Sequence, residues 1–321
     1  MAVPNSRPLL PIGPVCNPRT QGPLHAQTKV LEFGTAAEAG PVRFWWYHAP
    51  RYEEAGNARL SNHIHPAAQV DPAAELGSGN RIGPGVIVEA GVRLGDDNVL
   101  YAGVVLKQGT VLGNGNAVHE YAVIGGLPQD IHFEPATASR VVIGDRNVLR
   151  EYVTINRASQ AQGITRVGDE NYLMTQVHVG HDCALGNRVI IAPGTGLGGF
   201  VTVADRAFLS GGVMVHQFVH IGRLAMVGGN AKITRDVLPF MITDGVPATV
   251  HGLNRVGLRR AGFTPAQMKV LKTAYRLIHR SGESLPAILT ALEALADPLA
   301  DELATFLRGA ERGFHREARS G

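Results

Sequence analysis

An aliphatic residue returns at every sixth position along most of this chain. The series opens at Ile64, Val70, Leu76 and Ile82 and holds at all eleven positions to Ile124. It breaks over residues 125–140, resumes at Ile143, Leu149 and Ile155, and breaks again over residues 156–165. A third series, from Val167 through Leu173, Val179 and Leu185 to Ile233, is aliphatic at all twelve positions. At 3.6 residues per turn, six steps do not return a side chain to the same side, so the period is not helical. A strand of period two would return it, but would not explain why Gly so often follows: Gly77, Gly83, Gly95, Gly113 and Gly125. The pattern predicts a parallel β-helix of hexapeptides, in which each aliphatic points into an axial core and a Gly or small polar residue turns the corner after it. Three six-residue faces make a coil of 18, and the twenty-six hexads predict eight to nine coils within a domain at 59–250.

Both flanks follow other rules. Residues 1–58 carry Pro4, Pro8, Pro11, Pro14, Pro18 and Pro23, which predicts an irregular or extended arm. Phe44–Glu54, FWWYHAPRYEE, holds both tryptophans and is expected to pack on the main domain or on a neighbouring subunit; a ligand-stacking lid is the sharper alternative. Pro239 and Pro247 close the repeat, and residues 251–321 read as a small helical domain. Its first helix is expected over Phe263–Gly282, with Thr264 as N-cap, Pro265 next, Gln267 completing a capping box, a stripe of Met268, Leu271, Tyr275 and Ile278, and Gly282 at the end. Further helices are expected at about Leu285–Leu295 and Pro298–Arg308.

Composition adds little. The 39 glycines and 6% aromatics suit a fold of tight turns. A net charge of +3 mildly favours an anionic ligand, and equally describes a weakly basic protein with no nucleic-acid partner. Cys16 and Cys183 give neither a disulfide framework nor zinc-ligand spacing, which fits a reducing, cytoplasmic setting. No apolar run is long enough to span a membrane, and Pro interrupts the N-terminal apolar residues, so neither a transmembrane segment nor a signal peptide is expected.

The coil period makes spacing chemical. Residues 18 apart share a corner on adjacent coils, about 4.8 Å apart. His181, Gly199 and Gln217 therefore stack as imidazole, bare backbone and amide. A His serves as general base near neutral pH, and a Gly N–H reaches an oxyanion unobstructed. His178 and His216 are expected on nearby corners, and His220 lies close by on the chain. Each of these histidines alone fits a surface turn. A zinc site is a further alternative, although His178/His181 and His216/His220 fall on different faces without a completing Cys or carboxylate.

Five segments then carry a resemblance: Ile124–Phe133 (IGGLPQDIHF), Val177–Asn187 (VHVGHDCALGN), Gly211–Gly222 (GGVMVHQFVHIG), Ala225–Gly229 (AMVGG) and Gly252–Phe263 (GLNRVGLRRAGF). In this order they resemble bacterial UDP-N-acetylglucosamine 3-O-acyltransferases, which open lipid A synthesis. The resemblance spans about residues 60–315. It implies a left-handed β-helix, a homotrimer with clefts between subunits, acyl carrier protein as donor, UDP-N-acetylglucosamine as acceptor and no cofactor. It further implies His181 as base, Asp182 as its support and the Gly199 N–H as oxyanion donor. His178, His216 and Gln217 would contact sugar or acyl group, Gln129 and Asp130 the sugar from a neighbouring subunit, Asn254 and Arg260 the uridine or diphosphate, and Gly229 the acyl groove. Arg255, Arg259, Arg260, Lys269, Lys272, Arg276 and Arg280 would offer the acidic carrier a basic face, although the last four also fit a solvated helix surface. Phe200, His132, Val256 and Ala261 depart from the family pattern, which keeps a related transferase with another nucleotide sugar or amino sugar as an alternative.

Overall fold

Each hexad folds as a two-residue strand and a corner. The computed structural model describes residues 61–318, so the proline-rich arm and Phe44–Glu54 lie outside the described residues. Strands β1 to β26 run from His63–Ile64 to Lys232–Ile233, one for each hexad of the repeat. Every third strand pairs in parallel: Ile64 lies beside Ile82 and Val179 beside Leu197, an offset of 18. The result is three parallel sheets wound as one prism. We call the sheet that begins with β1 the first face, and the sheets that begin with β2 (Gln69–Val70) and β3 (Glu75–Leu76) the second and third.

The inward residues are the predicted aliphatics and also a second set, four residues further on, which includes Val86, Val104, Val177, Val201 and Val219. Two of every six side chains thus fill the axis of this narrow core. At the corner after the third face this second inward position is Asn in the first five coils and Val189, Ala207 and Ala225 in the later ones. Asn80, Asn98, Asn116, Asn147 and Asn171 are buried, and each side-chain oxygen accepts the N–H of the residue at the same corner one coil on. The ladder satisfies backbone donors that the corner would otherwise bury unpaired.

The glycines after the aliphatics turn out to serve a different purpose from the one expected. The left-handed residue of the corner lies three places after the aliphatic, as at Asp97, Tyr121, Asp182, Phe200 and Phe218, with φ of 56° to 65°. A non-Gly residue there costs roughly 1–2 kcal/mol, which parallel pairing and core burial offset. The Gly directly after the aliphatic is required for space. At Gly77, Gly95, Gly113 and Gly168 a Cβ would collide with the Asp or Asn carboxylate or amide oxygen of the next coil.

Both interruptions of the repeat leave from one corner. The strands Val123–Gly126 and Thr154–Asn156 belong to the second face, and the loops after them (127–139 and 157–163) replace two successive corners between the second and third faces. The prism ends in a hairpin that the sequence pattern did not announce. Strand β27 (Met241–Gly245) pairs in parallel with β25 (Met226–Val227) and antiparallel with β28 (Ala248–Leu253). A short helix α1 (Arg255–Arg260) follows, also unannounced, capped by Asn254. Helix α2 (Pro265–Arg280) has the expected Thr264–Gln267 capping box, with Gly282 in the left-handed region just past its end. Helix α3 (Leu285–Glu293) stops earlier than expected, where Ala296 turns to φ 48° ahead of Pro298, and α4 spans Pro298–Arg308 as expected. A second core of Leu224, Phe240, Met241, Leu271, Leu292 and Leu303 fastens hairpin and helices to the last coils.

Candidate active site

The predicted column stands on the corner from which both loops leave. Strand register places Val179, Leu197 and Val215 side by side, so His181, Gly199 and Gln217, each two residues later, occupy one corner of successive coils. The His181 imidazole lies flat on Gly199: a Cβ there would sit 2.6 Å from Nε2. Gly199 is buried, and its N–H donates to no described residue. Gln217 is exposed at the open end of this stack.

His181 is fixed from its other side. Its Nδ1 is 2.8 Å from Asp182 Oδ2, so Nδ1–H donates and Nε2 is left as the basic nitrogen. The same oxygen accepts from the Ser159 N–H at 2.9 Å and the Ser159 hydroxyl at 2.7 Å. Asp182 N–H in turn donates to Thr165 Oγ1. The second loop therefore exists, in structural terms, as a brace for Asp182. Only the break in the repeat hinted at it. Phe200 meets His181 edge-on at 5.3 Å and is itself backed by Phe218, stacked on it at 4.7 Å, so an aromatic ring borders the imidazole.

His178 lies on the strand His178–Val179 of the second face, not on a corner. Its Nδ1 is 2.8 Å from Thr154 Oγ1, and burial, reinforced by the charge of His181, holds its pKa below the usual histidine value. It is thus a neutral hydrogen-bonding group beside His181. His216 sits at the corner next to Gln217, exposed, with its Nδ1 3.4 Å from the Arg312 guanidinium. His220 is on the third face, with Nδ1 2.6 Å from Thr202 Oγ1. The four histidines therefore do not converge on one point. Among the described residues, the group that does bring potential ligand atoms within 4.8 Å of one another is His119, Glu120 and Glu151, two of which are adjacent in sequence; Arg150 already occupies Glu151 as close as 2.7 Å.

The remaining expected residues lie further out. Gln129 and Asp130 are exposed in the first loop, where Asp130 accepts the N–H of His132. Gly229 is exposed at the corner after Val227. Asn254 is buried and its amide is spent within the chain: the oxygen caps α1 through Gly257 N–H and the nitrogen donates to Leu224 O. Arg260 is exposed in the last turn of α1. Arg255, Lys269, Lys272, Arg276 and Arg280 line a groove of about 470 Å³ along α2, although Arg280 is paired with Glu317.

A protein of Alkalilimnicola ehrlichii named acyl-(acyl-carrier-protein)–UDP-N-acetylglucosamine O-acyltransferase is 52% identical over 258 residues, 79% of this chain and 99% of its own. The chain belongs to that family. A Burkholderia mallei protein of the same name is 48% identical over 260 residues, again 79% of this chain and 99% of its own. The solved structure of a UDP-N-acetylglucosamine acyltransferase from Bacteroides fragilis superposes with a TM-score of 0.77 at 38% identity, covering 79% of this chain and 100% of that one. Residues 164–199 match the bacterial transferase hexapeptide family and residues 236–315 the family described as UDP N-acetylglucosamine O-acyltransferase, domain 2. The family membership carries the expected fold class, a left-handed parallel β-helix with a small helical C-terminal part, and marks the chain as an acyltransferase.

Proposed function

We propose that this chain transfers a 3-hydroxyacyl group from acyl carrier protein to the 3-hydroxyl of UDP-N-acetylglucosamine, the first step of lipid A synthesis. The observation that carries the mechanism is the His181 imidazole, oriented by Asp182 and lying on a buried glycine. His181 Nε2 takes the proton of the sugar hydroxyl as its oxygen attacks the thioester carbon. The Gly199 N–H receives the oxyanion of the tetrahedral intermediate. Collapse breaks the carbon–sulfur bond, and the imidazolium returns the proton to the departing thiolate, leaving ester and free thiol. Asp182 holds the imidazole in the useful tautomer and stabilises its charged form. No covalent enzyme intermediate enters this sequence.

His178, His216 and Gln217 surround the reacting atoms, Gly229 borders the acyl chain, and Arg260 faces the nucleotide. Asn254, whose amide is engaged, acts through the placement of α1. The groove lined by Lys269, Lys272 and Arg276 suits an acidic carrier. Gln129 and Asp130 complete the site from a neighbouring copy in a homotrimer. Exposed Tyr121, Tyr152, Met214 and Phe218, each more than two-fifths accessible, lie on the second face and its two corners and supply apolar surface for that assembly. Relatives 48–52% identical carry the same acceptor in their names, which favours it over another sugar. Among the described residues no helix is long and apolar enough to cross a membrane.

The test is a transfer assay with carrier thioesters of several chain lengths and a panel of nucleotide sugars. Ester formation on UDP-N-acetylglucosamine is expected, with His181→Ala losing several orders of magnitude in kcat at an unchanged sedimentation coefficient. A clear preference for another sugar, or an active His181→Ala, would overturn the reading.

A further inference from the structure

The catalytic column does not end at Gln217. Val215 pairs with Ile233, so the residue one coil beyond Gln217 at this corner is Arg235. The C-terminal tail crosses at the same level. Asp236 N–H donates to Gly313 O, His315 N–H donates to Asp236 O, and Arg235 N–H donates to His315 Nε2 at 3.3 Å. His315 is itself buried and held by Ala248 O. This stitching fixes Arg312 with its guanidinium 3.4 Å from His216 Nδ1.

Arg235 and Arg312 are both exposed, and neither is in an ion pair among the described residues. The carboxylate within the junction, Asp236, is wholly buried: its Oδ1 accepts the His220 N–H, its Oδ2 has no hydrogen-bond partner among the described residues, and the Arg312 charge acts on it without forming an ion pair. Two guanidinium groups outside any ion pair among the described residues, one on the catalytic corner and one on a tail sewn beside it, make a seat for a phosphate.

Distance selects which phosphate. Three coil steps of about 4.8 Å separate the His181 and Arg235 positions, roughly 14 Å. In a nucleotide sugar the diphosphate is attached at C1, two carbons from the reacting 3-hydroxyl, which is too near. In a carrier-bound thioester, sulfur and phosphate are joined by cysteamine, β-alanine and pantoate units, a chain about as long as four extended residues, or ~14 Å. We propose that Arg235 and Arg312 form a phosphate site at the C-terminal end of the catalytic column that holds the phosphodiester of the acyl donor's pantetheine arm. It rests on the acyl-transfer reading above. The arm would lie along the corner with its thioester at Gly199 and its phosphate at the junction with the tail.

The test uses the full chain, saturating UDP-N-acetylglucosamine and two soluble donors: a 3-hydroxyacyl 4′-phosphopantetheine thioester and the same thioester of pantetheine, which lacks the phosphate. Wild-type protein is expected to favour the phosphorylated donor at least tenfold in kcat/KM. The double variant Arg235→Gln, Arg312→Gln is expected to lose that preference to within twofold, with KM for UDP-N-acetylglucosamine unchanged, and Lys at both positions to restore part of it. Equal losses on both donors would overturn the proposal, as would a rise confined to KM for the nucleotide sugar, which would assign the cations to the diphosphate. Wild-type protein that transfers from neither donor would instead refute acyl transfer itself.

Discussion

The space a Cβ of Gly199 would fill is taken by the His181 imidazole, with Nε2 2.6 Å and Cε1 2.5 Å from that point. The proposed base and the proposed oxyanion donor are therefore in contact through a missing side chain. Gly199→Ala would push the ring off Asp182 or tilt the backbone N–H, and either damages both functions at once. We expect kcat to fall by roughly 10²–10³, the usual range for loss of one oxyanion donor. The melting temperature should move little, because the His181 ring, only partly buried, can swing outward. Steady-state kinetics beside a thermal melt checks this; activity within threefold of wild type would remove Gly199 from the mechanism.

Asp182 and Ser159 should separate by magnitude. Asp182→Asn keeps the shape but puts an amide where His181 Nδ1–H and two Ser159 donors converge on one oxygen. The imidazole then turns or changes tautomer, and a kcat loss of about 10²–10⁴ is expected, with KM for both substrates nearly constant. Ser159→Ala removes one of two Ser159 donors and leaves the N–H, so a loss of about threefold to tenfold is expected. A Ser159→Ala effect as large as that of Asp182→Asn would mean that the loop does more than brace the carboxylate.

Much of this was legible because the fold is periodic. A strict repeat converts sequence separation into spatial separation, so His181, Gly199 and Gln217 could be stacked by arithmetic. What the repeat does not encode was missed. Ser159 reaches Asp182 through an insertion whose path no period fixes. The hairpin Met241–Leu253 and helix α1 obey neither the six-residue nor the helical rule for long enough to register. The purpose of Gly95 or Gly168 could not be read because the oxygen that excludes a Cβ there belongs to the next coil. His178 was placed on a corner because its outward direction depends on the strand, not on the spacing to His181.

The asparagine ladder predicts where stability resides. Asn98 accepts from Asn116 N–H and Asn116 Nδ2, and donates to Gly113 O and Asn80 Oδ1, all at a site 0% exposed. Asn98→Ala leaves several of these groups buried without partners, at about 1–3 kcal/mol each. A loss of roughly 3–5 kcal/mol in urea unfolding is expected. Arg93→Ala, which breaks a surface ion pair with Glu75, should cost less than about 1 kcal/mol. Comparable losses for the two would show that the ladder is not a main contributor.

His279 makes the helical part sensitive to acid. It packs between Tyr275 and Phe314 with Met241 Sδ 3.2 Å from Nε2, and burial pushes its pKa down to about 4, opposed by Glu317 and assisted by Arg316 and Arg280. An unfolded histidine titrates near 6.5. Between those values the unfolded chain binds the extra proton, so stability rises with pH; it is complete above about 6.5 and is lost as pH falls toward 4. At ~1.4 kcal/mol per unit, the loss reaches on the order of 3 kcal/mol. His178 and His315, also shifted down by burial, act in the same direction. His279→Leu, which fills the site without a titrating group, should flatten the dependence of unfolding free energy on pH between 6.5 and 4.5 while leaving activity at pH 8 intact. An unchanged slope would show that His279 stays protonated, or accessible, in the folded protein.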